Sequence, residues 1–442
     1  MASPLVESAV EAIELDAFSK RIPDLVPHDE TLYGYLKSNA TTIPISNITA
    51  AGGVPRPSFR VPFRAQAGAA ISQGTGNADS LGRGTGSTWA AFALSPVFFY
   101  STCEISFLAR ISTEGAKRGL FNVQAQELKN TFTQATQGLE SLLQGDGTGT
   151  LDQIPSTATI TSPSSGNAYA VSIAGLNNAF QFQDQQTVQV YSAVGSSPTY
   201  VGTFTVSYTD PVTQTIVGAS AASAFTISTG DYLVVAGSSA GVGASILGLD
   251  AWLVNSPTGS IGGLLRQNFG GRLSTPEINL GGASITLSTG LRALTLLLRA
   301  LGPSNPAAKK AVWYCGPDQA MQMAELYLNS IYSETSRNAG DVTPDVAKRE
   351  WPKQYAGRPV IVGMNAKPGE LKLFTADVAY LGELLPLELY DFGGGITSAP
   401  VPDIVYGGYL TSTMFAYVSA LNLAFSNVRA AVRVDDAAQP TI

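Results

Sequence analysis

The sequence predicts an α+β fold that combines one long helix, an all-β segment and a final α/β part. Over residues 118–143, apolar residues recur at alternating spacings of four and three, the period of a helix with one buried face. Residues 155–240 lack helix-forming patterns and are rich in Thr, Ser, Val and Gly, which favours short strands and tight turns. After residue 290, helical and strand patterns alternate, as is typical of an α/β arrangement.

The first residues predict an N-terminal arm. Residues 1–38 predict a short amphipathic helical segment followed by a polar arm, and residues 43–58 carry prolines and glycines that predict no regular structure. The apolar positions of the helical segment are Val6, Val10, Ile13 and Phe18. Such an extension either crosses onto a neighbouring subunit or forms a disordered leader, and these residues leave both interpretations open.

Residues 58–110 predict a β-hairpin that extends away from the body of the protein. Its outgoing strand is Ser58–Arg64, its returning strands are Trp89–Leu94 and Val97–Thr102, and a glycine-rich tip joins them. Two strands with a long tip cannot bury a core of their own, so we expect the hairpin to lie on a partner surface.

Residues 118–143 predict a single helix about 40 Å long, at a rise of about 1.5 Å per residue. Its apolar stripe consists of Phe121, Ala125, Leu128, Phe132, Ala135, Leu139 and Leu142. The helix runs into Gly145-Asp146-Gly147-Thr148-Gly149, whose glycines supply the positive φ angles of a helix cap and tight turn. Asp146 is predicted to accept local backbone N–H bonds in an Asx turn. A helix with one apolar stripe has to lie along a sheet or another subunit.

The all-β segment predicts short strands separated by turns, at the spacing of a small sandwich or barrel. These strands are Thr157–Thr161, Thr187–Tyr191, Tyr200–Val206 and Tyr232–Val235. The α/β part predicts helices at Leu291–Leu301 and from Pro317 to Tyr332, with a buried strand, Ala311–Cys315, between them. Further strands are predicted around Arg358–Val362, Lys372–Phe374 and Tyr380–Leu384, and Met414–Phe425 is expected to pair with Ala430–Val434.

Composition favours an assembling protein. Only 13% of the 442 residues are charged, and 45 are glycines. Interface cores are depleted in charge, so repeated subunit contacts explain this composition, although an uncharged β protein explains it too. The net charge of −7 and the lack of a basic block argue against tight binding to phosphates. No secretory signal or membrane span is predicted, and two distant cysteines imply no disulfide framework.

No group of residues predicts catalysis. His28 is the only histidine, and nothing beside it resembles a nucleophile elbow. One histidine and two cysteines cannot form the usual zinc sites. The glycine-rich runs are not followed by Gly-Lys-Ser/Thr, so they do not predict a phosphate-binding loop. We therefore expect no enzymatic activity, no cofactor and no metal.

The residues from Leu142 to Gly149 resemble the end of the spine helix in major capsid proteins of tailed double-stranded-DNA bacteriophages, which often reads LL-x-GDG-x-G. The flanking hairpin, β segment and α/β part follow the order of that family over most of the chain. The resemblance implies the following layout: an N-terminal arm (1–57), an extended hairpin loop (58–110), the spine helix and start of the peripheral domain (111–154), an inserted β domain (155–245), the peripheral domain (246–310), an axial domain (311–405) and returning peripheral strands with the C-terminus (406–442).

The resemblance also implies a function. Such proteins assemble into hexamers and pentamers that form an icosahedral shell around packaged double-stranded DNA, without sequence-specific DNA binding. The implied partners are other copies of the chain, a separate scaffolding protein, a portal protein and a decoration protein, and the implied location is the virion after assembly in the host cytoplasm. Two alternatives remain open: an encapsulin-like compartment shell, and a β-rich surface module that binds glycans through residues 155–240.

Contacts between subunits are implied for the hairpin and for the start of the long helix. The candidate residues are Arg60, Arg64, Arg83, Trp89, Phe92, Arg110, Lys117 and Arg118. The last three of these, with Lys129, either face packaged DNA or are ordinary exposed charges. Some members of the family crosslink a loop lysine to an asparagine, but residues 68–87 contain no lysine, so we do not expect that reaction.

Overall fold

The computed structural model of the chain describes residues 32–44, 46–49, 55–66, 86–106, 119–155, 160–161, 169–210, 213–220, 225–241, 243–269, 271–335, 354–392, 398–402 and 409–438. Within these residues the α-helices are α1 (Leu32–Asn39), α2 (Gly119–Gln144), α3 (Leu249–Trp252), α4 (Leu287–Leu301), α5 (Pro306–Lys309) and α6 (Pro317–Thr335). The helical segment expected around Val6–Phe18, His28 and the hairpin tip lie outside the described residues.

The first eleven strands are β1 (Thr41–Pro44), β2 (Ser46–Thr49), β3 (Pro55–Gln66), β4 (Thr88–Leu94), β5 (Val97–Ser106), β6 (Thr150–Gln153), β7 (Ile160–Thr161), β8 (Tyr169–Ile173), β9 (Thr187–Ala193), β10 (Thr199–Asp210) and β11 (Thr215–Ser220). The others are β12 (Tyr232–Val235), β13 (Ser260–Ile261), β14 (Leu264–Leu265), β15 (Glu277–Asn279), β16 (Val312–Cys315), β17 (Gln354–Tyr355), β18 (Arg358–Val362), β19 (Leu371–Phe374), β20 (Ala379–Leu389), β21 (Ser398–Pro402), β22 (Tyr409–Phe425) and β23 (Ala431–Asp435). The mixture of helices and sheets confirms the α+β class.

The chain divides into two compact units, each built from segments far apart in sequence. Unit 1 comprises Met1–Ser38, Val97–Ile246 and Glu383–Leu421. Unit 2 comprises Asn39–Pro96, Leu247–Gly382 and Asn422–Ile442. The seven-part layout implied by the family resemblance stays a prediction.

In unit 1, residues 150–235 form a seven-stranded sheet with the order β6-β12-β9-β10-β11-β8-β7. Every neighbouring pair is antiparallel. One face of the sheet buries an apolar core that includes Val188, Val190 and Phe204. The alternation of Thr and Val residues produced this face, as the sequence predicts for strands with one buried side.

Helix α2 confirms the predicted long helix to within one residue at each end. Its side chains Leu128, Phe132 and Ala135 pack in one cluster with Phe415 and Tyr417 of β22. Strand β22 belongs to another sheet, in which its residues Ser412–Leu421 pair antiparallel with the full length of β5. The predicted apolar stripe therefore lies on a sheet, as expected.

The last turns of α2 are buried on nearly all sides, which the sequence did not indicate. Glu140 is 5% exposed and Gln144 is 1% exposed, although both belong to the face that the pattern marks as polar. Each has a polar partner within the structure. The polar residues here are thus interior groups, and not a solvated surface.

The turn after α2 connects the helix to the seven-stranded sheet. The Asp146 carboxylate accepts bonds from the Thr148 N–H (2.9 Å) and hydroxyl (2.6 Å), which confirms the Asx turn. Positive φ angles occur at Gly147 (88°) and Gly149 (82°), whereas Gly145 is not among the positive-φ glycines. A Cβ on Gly149 would lie 2.7 Å from the Ser238 hydroxyl, so this position requires glycine.

Unit 2 contains a six-stranded mixed sheet with the order β15-β23-β19-β16-β18-β17. Helices α4 and α6 contribute Leu297 and Met323 to the core cluster that covers it, together with Trp313 of β16. Strand β23 pairs with β15 and β19. The expectation that the last two strands pair with each other is therefore wrong, because β22 belongs to a different sheet.

Buried charges in unit 2 form an ion cluster next to this sheet. Asp250 is 4% exposed and its two carboxylate oxygens lie 2.5 Å from the ammonium groups of Lys372 and Lys367. Glu370 lies between Lys372 (3.1 Å) and Arg433 (2.8 Å). Burial by itself raises the pKa of Asp250, but the two lysines outweigh it and hold that pKa well below its usual range.

Two expectations for the first hundred residues are wrong. The predicted polar arm contains α1, whose Leu32 and Leu36 are fully buried. Residues 43–58, expected to be irregular, contain the ends of β1 and β3 and the whole of β2. Strand β3 pairs with β2 up to Ser58 and with β4 from Phe59 onward, so each residue, prolines included, has only one paired edge.

Candidate assembly surfaces

The hairpin of β3 and β4 confirms the predicted outgoing strand and the first returning strand, and it buries one of its faces. The register pairs Phe59 with Leu94 and Val61 with Phe92 on this face. All four side chains are at most 4% exposed. Strand β5 does not continue the hairpin, since it pairs with β22 in unit 1, which corrects the expectation that Val97–Thr102 belongs to it.

Phe92 is enclosed within unit 2. Its ring stacks on Phe63 at a centroid distance of 4.6 Å and meets Trp252 edge-on at 4.8 Å. Gly262 has a φ of 53°, and a Cβ there would lie 2.9 Å from the Phe92 ring. A side chain enclosed in this way has no surface left for a neighbouring subunit, so Phe92 is not a contact residue and the prediction for it is wrong.

The opposite side of the hairpin, the exposed hairpin face, consists of Arg60, Pro62, Arg64, Trp89, Ala91 and Ala93. The register pairs Arg64 with Trp89 across the two strands, and Trp89 is 68% exposed. Both arginines are exposed as well. The face is therefore cationic and carries one large aromatic side chain. Exposed and buried residues alternate along β3 and β4 because successive side chains of a strand lie on opposite faces of the sheet.

Unit 1 has an exposed apolar face on the sheet that carries α2 on its other side. We call it the exposed sheet face; its members are Phe98, Tyr100, Thr102 and Glu104 of β5, Leu384 and Glu388 of β20, Tyr390 directly after β20, and Met414 and Val418 of β22. The register places Tyr100 opposite Val418 and Glu104 opposite Met414. Phe98 is 60% exposed and Tyr100 is 66% exposed.

The exposed sheet face is acidic and aromatic. Glu104 and Glu388 are exposed, and no basic residue is among its members. Tyr390 extends the aromatic surface with an edge-on contact to Phe392 at 5.0 Å between ring centroids. Phe98, Tyr100, Leu384 and Tyr390 are thus four large apolar side chains exposed on one sheet face, and exposed apolar surface of this extent commonly marks a protein interface.

The two units carry opposite net charges. Unit 1 contains 20 acidic and 7 basic residues, a net charge of −13. Unit 2 contains 13 acidic and 19 basic residues, a net charge of +6. The modest net charge of the whole chain thus hides a strong separation, in which the cationic hairpin face belongs to the basic unit and the sheet face to the acidic unit.

The predicted contact residues divide into three groups. Arg60, Arg64 and Trp89 lie together on the exposed hairpin face. Phe92 is buried in unit 2. The remaining candidates, which lie outside the described residues, are Arg83, Arg110, Lys117 and Arg118.

Sequence reasoning missed the exposed sheet face. The alternation of Phe98, Tyr100, Thr102 and Glu104 with Phe99 and Cys103 indicates a strand with two apolar faces. A strand buried on one side only usually shows polar residues on the other. The sequence of β5 therefore predicts apolar residues on both faces of the strand, but it does not predict which face α2 covers.

Two further features, a membrane-spanning helix and a cluster of metal-ligating side chains, are absent from the described part of the chain. None of its helices has the length and apolar character needed to cross a membrane. Within the same residues, no cluster of three or more His, Cys, Asp or Glu side chains is arranged to hold a metal ion.

The structure of the chain is similar to solved capsid structures. It matches a chain of the cyanophage A-1(L) capsid asymmetric unit with a TM-score of 0.50 and 12% identity, covering 93% of each chain. A chain from the capsid of a native GTA particle matches with a TM-score of 0.43 and 10% identity, covering 91% of this chain and 90% of that one. A Gordonia phage Cozz chain matches with a TM-score of 0.42 and 10% identity over 92% and 86%. The sequence matches no protein-family model and no curated protein.

The match to the cyanophage A-1(L) chain extends over nearly the whole of both chains. At 12% identity it establishes a shared fold and nothing beyond it. This chain therefore has the capsid fold that its long helix and GDG turn indicate.

Proposed function

We propose that this chain is a major capsid protein, which assembles into hexamers and pentamers of an icosahedral shell around packaged double-stranded DNA. The fold supports the proposal, because it is shared with a chain of a phage capsid over nearly the whole length. The observation that carries it further is the separation of charge between the two units, +6 against −13.

Opposite charges on the two units favour head-to-tail contacts between copies. In such a contact, unit 2 of one copy packs on unit 1 of the next, and every copy offers both surfaces. Heterologous contacts of this kind close into rings when the rotation between copies permits it. Like-charged units repel, which disfavours the symmetric pairing of two unit 1 surfaces.

The exposed hairpin face and the exposed sheet face have the chemistry to form this contact. In this contact Arg60 and Arg64 would pair with Glu104 and Glu388 of the neighbouring copy, since a guanidinium can bind a carboxylate through two parallel hydrogen bonds. Trp89 would pack on the aromatic side chains of the sheet face, as tryptophan commonly does at the centre of interfaces. Apolar contact supplies affinity here, and the charges select the orientation.

The first experiment is negative-stain microscopy and sedimentation of the purified chain, alone and together with the products of its neighbouring genes. We expect rings or closed shells, and we expect their formation to weaken as salt rises beyond about 0.15 M because the Debye length shrinks below about 8 Å. A monodisperse monomer at high concentration under every one of these conditions would contradict the proposal.

A charge exchange tests the contact itself. Arg64→Glu and Glu388→Arg should each raise the protein concentration needed for assembly about tenfold, while the double variant should recover most of the loss. Arg292→Glu makes the same charge change on the exposed side of α4 and serves as the matched control. If the control is as damaging as Arg64→Glu, or the double variant shows no recovery, the pairing of these faces is incorrect.

The contents of the particles and their partners complete the proposal. We propose assembly in the host cytoplasm with a separate scaffolding protein, and a portal and a decoration protein as further partners. Particles from infected cells should contain double-stranded DNA, since the chain is a container and not a sequence-specific binder. Particles that hold a protein cargo and no genome would instead indicate an encapsulin-like compartment.

A further inference from the structure

Three tyrosines form a row across adjacent strands of the seven-stranded sheet. The register places Tyr232 of β12 opposite Tyr191 of β9, and Tyr191 opposite Tyr200 of β10. The rings of Tyr191 and Tyr200 are 5.6 Å apart between centroids, at an interplanar angle of 73°. We call these three residues the tyrosine row. They lie on the face opposite the core that Val190 and Leu233 help to form.

Hydroxyl and amide groups lie along the tyrosine row, and the apolar side chains of Val194, Val234 and Ala240 pack against Tyr191 and Tyr232. The Tyr200 hydroxyl shares a hydrogen bond of 2.7 Å with the Thr203 hydroxyl on the same strand. The Tyr191 hydroxyl donates to the Gln189 side-chain oxygen at 3.5 Å. Gln153 of β6, which pairs with Tyr232, is exposed and extends the polar surface by one more strand. Tyr200 is 55% exposed, so one aromatic ring of the row is open to a ligand.

The charge of this region excludes anionic ligands. Residues 130–265 contain no Lys, Arg or His, so no cation of the insert can pair with phosphate, sulfate or carboxylate groups. Asp152 and Asp231 of the sheet are buried, at 8% and 5% exposure. The face around the tyrosine row is therefore nearly neutral, and a ligand that fits it has to be neutral as well.

We propose that the tyrosine row binds neutral polysaccharide. A hexose ring presents a flat C–H surface that stacks on an aromatic ring, and equatorial hydroxyls that bond to amide and hydroxyl groups at its edge. Tyrosine suits this role because it combines a rigid apolar body with a polar end. Tyr200 supplies the stacking surface, and Thr203, Gln189 and Gln153 supply donors and acceptors along the strands.

A second copy of the chain fits this face less well than a sugar. A stable protein interface buries about 1,200–2,000 Å² around an apolar centre. Here Tyr191 is only 7% exposed and Tyr232 is half-buried, so Tyr200 provides most of the available apolar surface. A short oligosaccharide stretch, in contrast, needs one or two stacking rings and a few hydrogen bonds.

Affinity electrophoresis of the full chain in gels that contain dextran, laminarin or galactan tests the proposal. We expect retardation in at least one neutral polysaccharide and none in alginate or heparin. Tyr200→Ala should weaken the retardation about tenfold, whereas Tyr200→Phe should keep most of it. Tyr208→Ala is the matched control, because Tyr208 lies on the same strand, is 57% exposed and is outside the row.

Two results would overturn the proposal. One is that none of the neutral polysaccharides retards the wild-type chain, and the other is that Tyr208→Ala weakens the retardation as much as Tyr200→Ala. Circular dichroism should show the same thermal midpoint for both variants, so that a folding defect is not taken for lost binding. Shell formation is measured in parallel: if Tyr200→Ala abolishes assembly and no polysaccharide binds, the row is a contact between copies. Normal assembly without polysaccharide binding would refute polysaccharide binding by the tyrosine row and leave the proposed capsid function intact.

Discussion

The seven-stranded sheet of unit 1 and the six-stranded sheet of unit 2 stabilise their buried carboxylates by different means. In unit 1, Asp152 accepts bonds from the backbone N–H groups of Asn177 (2.8 Å) and Asn178 (3.2 Å). In unit 2, Asp250 is held by two ammonium groups, of which that of Lys372 is also buried. The first arrangement uses neutral donors, three backbone N–H groups and the side-chain amide of Asn177. The second uses counter-ions from other segments.

This difference explains how residues 150–235, which hold the seven strands of the unit 1 sheet, fold without one basic residue. Where backbone donors satisfy a buried acid, no cation has to be desolvated with it. The ion cluster, in contrast, depends on the charge state of every member. The two units should consequently respond differently to loss of one side chain and to acid, and the predictions below test that difference in order of expected effect.

The largest effect is expected from Lys372→Met. This variant removes one of the two cations of Asp250 and leaves buried negative charge, which typically lowers the free energy of unfolding by about 3–5 kcal/mol. Tryptophan fluorescence during urea unfolding reports on unit 2 alone, since all four tryptophans of the chain lie in it. The thiol of Cys315, whose pKa burial raises to about 12, should also become accessible to labelling.

Lys310→Met provides the control for this variant. Lys310 pairs with Asp377 at 3.1 Å, but its side chain is 67% exposed. An exposed ion pair contributes about 0–1 kcal/mol, so the control should stay close to the wild type. If Lys372→Met and Lys310→Met lower the free energy of unfolding equally, burial does not determine how much the ion cluster stabilises unit 2.

A smaller effect is expected from Asp152→Ala in unit 1. The substitution leaves the N–H donors of Asn177 and of the buried Asn178 without their acceptor, which should lower the free energy of unfolding by about 2–3 kcal/mol. Unit 1 has no tryptophan, so its fluorescence cannot report on this loss of stability. Hydrogen exchange of the amides in β8 to β12 measures the loss instead. Asp184→Ala, at an exposed position, should change protection by less than about 0.5 kcal/mol. If the exchange of unit 2 amides rises equally, the two units do not unfold independently.

The local structures that the sequence predicted correctly share one property: neighbouring residues determine them. The helix α2 follows from its 3.6-residue period, and the Asx turn follows from Asp146 and Thr148, two positions apart. Strand β18 matches its predicted bounds, Arg358–Val362, for the same reason. Patterns of this length fix a hydrogen-bonding scheme before any tertiary contact forms.

The errors concern pairings between distant segments. Whether β22 meets β5 or β23 depends on contacts more than three hundred residues apart, which no local pattern encodes. The prolines of β3 exclude a strand paired on both edges, but not one whose partner changes at Ser58. For the candidate surfaces, alternation separates Arg60, Arg64 and Trp89 from Phe92 on the opposite face of the hairpin. Which of the two faces is buried depends on Trp252, which is distant in sequence.

The acid response should separate the units further. The pKa of Asp250 in the folded chain lies below its ordinary value, so its contribution is fully present above the unfolded pKa of about 3.9 and is lost as pH falls toward the folded value. In that window the wild type should lose up to about 1.4 kcal/mol per pH unit more than Asp250→Asn. Urea unfolding followed by tryptophan fluorescence between about pH 5 and 2 measures the two slopes. Parallel slopes would rule out Asp250 as the titrating group.

Unit 1 should lose stability at the alkaline end instead, through Tyr33 of α1. Burial raises the pKa of Tyr33 well above its ordinary value, and the Glu383 carboxylate, which accepts the Tyr33 hydroxyl bond at 3.4 Å, raises it further. A raised folded pKa means that this stability is intact below about pH 10 and is lost as pH rises further. Tyr33→Phe should therefore lose about 0.5 kcal/mol near pH 7 and regain it against the wild type near pH 11. Hydrogen exchange of the α1 amides tests this, with the exposed Tyr208→Phe as control. A deficit that does not change with pH would show that packing, and not the hydroxyl proton, accounts for the effect.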